Sequence, residues 1–79
     1  MNYVNIYVKR IKEFCDKRGI SINELANMSG VKQSTLNNIM QGNTHNTGIA
    51  NIHKIANAFN MTLAEFLDFD ELNDYSFDD

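Results

Sequence analysis

The sequence predicts an all-α fold, a compact domain of five short helices. Three observations carry that expectation. Apolar residues recur at three- and four-residue steps along most of the chain. Gly19, Gly30 and Gly42 stand where those runs break, as helix-ending glycines do. Ser21 with Glu24, and Thr62 with Glu65, have the three-residue spacing of a capping box. With 79 residues the chain makes one domain, whose core is marginal without tight packing or a partner chain.

The first helix is marked by the stripe Tyr3, Val4, Tyr7, Val8, Ile11, Phe14 and Cys15; it ends near Arg18 and is capped by Gly19. Lys9, Arg10, Lys12 and Lys17 fall on its other faces, where a solvated surface is the plain expectation and a phosphate contact by one or two the alternative. The second helix opens at Ser21, points Leu25, Ala26 and either Met28 or Ser29 inward, and stops at Gly30. Val31 anchors a tight turn. The third helix, roughly Lys32 to Met40, buries Leu36 with Ile39 or Met40, ends at Gly42, and leaves Gln33, Ser34, Asn37, Asn38 and Gln41 outward. Two short helices joined this way are a helix-turn-helix, and Ala26 supplies the small side chain that a close crossing needs. Residues 43–48 are turn formers and read as a loop. Ile49, Ile52, Ile55, Ala56 and Phe59 mark a fourth helix, and Met61, Leu63, Phe66 and Leu67 a fifth entered through Thr62. Residues 1–67 are expected to form the domain and residues 68–79 an acidic tail. Its end is expected to be disordered, with packing of Leu72 or Tyr75 onto the fifth helix, or across a dimer, as the alternative.

The net charge of −3 conceals an uneven distribution. Residues 1–67 carry seven cations against four carboxylates, a net of +3, and the last twelve residues carry six carboxylates and no cation. No run of eighteen apolar residues suggests a membrane span, and no leader pattern opens the chain, so a soluble cytoplasmic protein is expected. The single cysteine, Cys15, excludes an intrachain disulfide and lies on an inward helix face. His45 and His53, eight apart, match no zinc spacing, and neither a glycine-rich phosphate loop nor a nucleophile with its base is present. The expectation is no enzyme, no metal and no cofactor.

The outward face of the third helix is unusual: amides and hydroxyls, without the Glu–Lys pairs that merely solvate a helix. Groups that both donate and accept suit the reading of base edges in a major groove. The set Leu25, Ala26, Gly30, Val31, Leu36 and Ile39 resembles the phage-repressor and Cro-like (XRE-type) helix-turn-helix family. The resemblance extends from about Ile11 to Leu67 and takes in Phe14, Gly19, Ile52, Ile55, Ala56, Phe59 and Leu63. It implies a lambda-repressor-like DNA-binding fold. Three departures from the family stand out. Cys15 and Met40 occupy positions where many members pair an Arg with a Glu, so these two are expected to touch in the core. Ile22 replaces a Gln that binds phosphate, and Lys32 replaces a capping Ser or Thr while placing a cation near the DNA backbone.

The resemblance implies a sequence-specific regulator of double-stranded DNA, a repressor acting as a homodimer on a two-fold operator. Gln33, Ser34, Asn37 and Asn38 are expected at base edges, and Lys32, Thr35, Asn43, Thr44 and Asn46 at phosphates, with His45 adding charge below neutrality. Such a protein would be bacterial or phage-encoded and nucleoid-associated when bound, in a prophage, a toxin–antitoxin locus or at an ordinary promoter. The competing expectation keeps the fold and drops the DNA, leaving a protein-interaction module or antitoxin-like partner. The acidic tail is expected to compete with DNA for the basic surface.

Overall fold

Short helices leave many unpaired backbone groups, and this chain closes them in the places its capping residues predict. The computed structural model describes residues 3–42 and 48–77. In chain order α1 is Tyr3–Arg18, α2 Ile22–Ser29, α3 Gln33–Met40, α4 Ile49–Ala58, α5 Leu63–Leu67 and α6 Asp70–Asn73. Every regular element among the described residues is helical. The first five match the expected helices, and α6 lies within the stretch expected to be a tail.

Both capping boxes form. Ser21 Oγ accepts from Glu24 N–H at 3.1 Å while the Glu24 carboxylate accepts from Ser21 N–H at 3.1 Å, and Thr62 and Glu65 repeat the exchange at 3.1 and 2.9 Å. Gly19 and Gly30 take φ of 63° and 77°, the left-handed region open to glycine at no Cβ cost. Asn60 does the same job after α4 with φ 63°: its N–H donates to Asn57 O at 2.9 Å and Met61 N–H reaches back to Ala56 O at 3.0 Å. That is a Schellman closure with asparagine in place of glycine.

The core gathers one face of each helix. Ile11 and Cys15 from α1, Leu25 and Ala26 from α2, Leu36 and Ile39 from α3, Ile52, Ile55 and Ala56 from α4, and Phe66 from α5 form one buried cluster with Val31 and Phe59. The helix α2 packs against α3 and α4, α1 against α3, and α4 against α5. Met40 is half-buried against the cluster that contains Cys15, so both sulfur-bearing residues belong to one apolar region. Burial pushes the Cys15 thiol above its ordinary range, with Asp16 adding to the effect, which keeps it protonated.

The periodicity misplaces some side chains. Of the pair offered for the α2 interior, Ser29 is half-buried and Met28 is 52% exposed. Ile49, expected on the inner stripe of α4, is 61% exposed, because it sits in the first turn beyond the reach of the core. Ile6 falls outside the expected α1 stripe and is almost fully buried. The tail folds back: Phe69 is buried, Leu72 and Tyr75 are half-buried, and Lys9 Nζ pairs with Glu71 at 3.2 Å. Two aromatic rings and an aliphatic side chain in that stretch have apolar surface to bury, and on α1 the guanidinium of Arg10 lies over the Phe69 ring while Ile6 lies beside Tyr75.

Three stability outcomes are expected. Leu36→Ala lowers unfolding free energy by about 2–5 kcal/mol, and Ser21→Ala by about 1 kcal/mol, both read from urea midpoints. The third concerns acid. Hydrogen bonds from the Thr62 backbone and side chain hold the Glu65 carboxyl below the usual carboxylate range. A lowered folded pKa means the contribution is complete above the unfolded glutamate pKa of about 4.3 and is lost as pH falls through the folded value. The melting temperature of Glu65→Gln therefore falls less steeply than that of the parent between about pH 5 and pH 3.

Candidate nucleic-acid interface

The turn between α2 and α3 is closed by a serine. Gly30 N–H donates to Ala26 O at 3.0 Å, Ser29 Oγ donates to the same carbonyl at 3.4 Å, and Val31 N–H donates to Ser29 Oγ at 3.2 Å. With Val31 and Leu36 buried, the direction of α3 relative to α2 is fixed from both sides. Lys32 stands at the N-cap of α3, its carbonyl accepting from Leu36 N–H at 2.9 Å, but its side chain caps nothing. The first N–H groups of α3 keep their capacity to meet an anion.

From that base, Lys32, Gln33, Ser34 and Asn38 are exposed, and Thr35 and Asn37 are half-buried beside them. These six residues share the outer side of α3 while Leu36 and Ile39 hold the inner side. Asn43, Thr44, His45 and Asn46 lie outside the described residues. One contact was absent from the sequence reading: the Gln33 amide donates from Nε2 to Asn23 Oδ1, joining the first residue of α3 to the second of α2. A glutamine amide has two N–H groups and a carbonyl. With one N–H held by Asn23, the other N–H and the carbonyl remain, the pair that matches adenine N7 and N6. The signal for it in the sequence was two amide residues ten positions apart across the turn, which by itself gives no register.

The charges of α1 are placed differently from a phosphate-binding face. Arg10 donates from Nε to Phe66 O at 3.1 Å and from Nη2 to Glu65 O at 3.3 Å, with its guanidinium 4.7 Å from the centroids of both Phe14 and Phe69. Arg18 donates to Phe59 O and lies 5.6 Å from the Phe59 ring centroid. Lys17 lies 5.6 Å from the centroid of Phe14. The hydrogen bond from Lys9 holds the Glu71 carboxyl below the usual carboxylate range. Four of the seven cations thus serve helix ends, rings and α6, although of these only Arg10 is half-buried and Lys9, Lys17 and Arg18 are exposed like Lys12, Lys32 and Lys54. The +3 of residues 1–67 overstates the charge that α1 can offer to phosphates.

His53 is exposed on α4, and among the described residues no group of three or more His, Cys, Asp or Glu side chains is placed to hold a metal ion. No helix among them is long and apolar enough to cross a membrane. A helix-turn-helix set rigidly on a small helical core, with a polar and uncharged outer helix, defines a DNA-binding domain. The chain belongs to the Cro/C1-type HTH DNA-binding domain family, whose model matches residues 10–71. Comparison with curated proteins and with solved structures finds no match.

The Asn23–Gln33 contact is testable by a double-mutant cycle on a duplex selected by the parent protein. Gln33→Ala and Asn23→Ala each weaken binding, and the double variant weakens it by less than the sum of the two, leaving a coupling of about 0.5 kcal/mol or more.

Proposed function

We propose that the protein is a sequence-specific transcriptional regulator that represses by occupying its operator as a homodimer. The observation that carries this reading is the outer face of α3, where Gln33 is held by Asn23 with one donor and one acceptor left over, and Ser34, Asn37 and Asn38 continue the polar row. A protein-binding helix would present aromatic or aliphatic anchors there instead. On this reading Gln33, Ser34, Asn37 and Asn38 meet base edges. Lys32 and Thr35 meet phosphates with the uncapped start of α3, and Asn43, Thr44 and Asn46 are proposed for the adjoining strand.

The dimer follows from reach. With eight residues, α3 is about 12 Å long, the rise of three or four base pairs, too few to mark a unique site. Two copies related by a two-fold axis double the site and set its halves about 34 Å apart. Residues 1–67 are proposed as the unit that enters the groove, and repression requires only that the occupied site overlap a promoter.

Selection from a random duplex pool at moderate salt, followed by sequencing, tests the proposal: a two-fold motif with half-sites one helical turn apart is expected. Retention without a motif would overturn it. On the selected site, Gln33→Ala costs about 1–3 kcal/mol at one base position and little at the others. Lys32→Ala weakens binding to all sequences alike and lowers the salt slope by about one.

A further inference from the structure

From Gln33 to Gln41 the chain carries no charged side chain, so whatever α3 reads it reads with amides and hydroxyls. Arg and Lys suit the paired acceptors of guanine, carboxylates suit the donor of cytosine, and an amide suits the donor and acceptor of adenine. An amide alone, however, does not settle the choice between the two purines. Glutamine has two N–H groups on one nitrogen, and with both free it can donate to N7 and O6 of guanine as well as pair with N7 and N6 of adenine. Resting on the reading of α3 as the helix that enters the groove, we propose that Asn23 on α2 is the positioning residue that makes Gln33 select adenine over guanine.

The ground is the hydrogen bond from Gln33 Nε2 to Asn23 Oδ1, which uses one of the two N–H groups. What remains is one donor and one carbonyl. Against adenine both are satisfied, while against guanine the Gln33 carbonyl faces the O6 acceptor and has no partner there. The contact exists before any DNA arrives, because the turn between the helices is already fixed. Val31 and Leu36 are buried, and the Ser29 hydroxyl bridges Ala26 O and Val31 N–H. A side chain held in this way loses less rotamer freedom on binding than a free one. Ser34, Asn37 and Asn38 make no side-chain hydrogen bond among the described residues, so the choice is set in advance at Gln33 and not at them. Asn23 is exposed in the first turn of α2, where its own amide could turn over and release the lock. An aspartate at that position accepts from Gln33 and has no N–H with which to turn over.

The test uses the full-length protein and the duplex it selects, on which a second selection with Gln33→Ala marks the base pair that Gln33 reads. An A·T pair is expected there, and anisotropy titrations should show it bound about fivefold to hundredfold more tightly than G·C. Asn23→Ala is expected to reduce that ratio about threefold or more by admitting guanine. Asn23→Asp keeps the parent ratio, while its added negative charge weakens binding to both duplexes alike. A G·C pair at the marked position, a Gln33→Ala motif identical to the parent's, an unchanged ratio in Asn23→Ala, or a ratio lost equally in Asn23→Asp would overturn the proposal and leave sequence-specific binding standing. Loss of the guanine preference in Lys32→Ala would then assign that base to the lysine. Retention of duplexes without any motif would overturn both readings.

Discussion

The satisfaction of helix ends governs this structure. Apart from α1, no described helix exceeds ten residues, so a large share of the backbone belongs to a first or last turn that has no partner inside its own helix. A small core cannot absorb such costs. The chain meets them with two capping boxes, left-handed residues at Gly19, Gly30 and Asn60, and two arginines that donate to the carbonyls ending α4 and α5. Arg10 also lies over the rings of Phe14 and Phe69, and Arg18 over that of Phe59, where a cation is attracted electrostatically. Phe14, Phe59 and Phe66, with centroids 5.3–6.3 Å apart, are the surface on which α1, α4 and α5 meet.

That use of arginine has a consequence for function. A guanidinium committed to a carbonyl and a ring is not free to grip phosphate, so α1 contributes less to DNA attraction than its composition suggests. On the proposed reading the burden falls on the start of α3, where an uncapped helix end, Lys32 and neutral amides face outward. Neutral amides gain little from long-range attraction and much from fitting a particular base edge, so that reading favours discrimination over general affinity. The acidic C-terminal stretch pushes the same way by lowering the overall charge.

Within the tail, Phe69, Leu72 and Tyr75 pack onto the domain, while Phe77 is left exposed. Phe69 closes against Arg10 at 4.7 Å, and Glu71 reaches Lys9. The expectation of disorder concerned the end of this stretch, whose last two residues lie outside the described ones; the packing of Leu72 and Tyr75, given as the alternative, is found beside a buried Phe69. Charge density counts against folding only where apolar surface has nowhere to go, and here α1 receives it.

The sequence by itself determined the helix order, the helix-turn-helix, both capping boxes, the turn at Gly30 and nearly all of the core, because each depends on spacing along one helix or across one turn. It also identified the polar face of α3, since the inner positions Leu36 and Ile39 leave only the outer ones. What only the tertiary structure decided were contacts between residues distant in the chain. Arg10 meets Phe66 and Phe69 across more than fifty residues, Lys9 meets Glu71 across sixty-two, and Ile6 shares a cleft with Asp70, Glu71, Asp74 and Tyr75. The Asn23–Gln33 pair is nearer in sequence but depends on the angle between two helices. Periodicity reports which face of a helix is apolar, and no periodicity within one helix can say which distant side chain that face will meet.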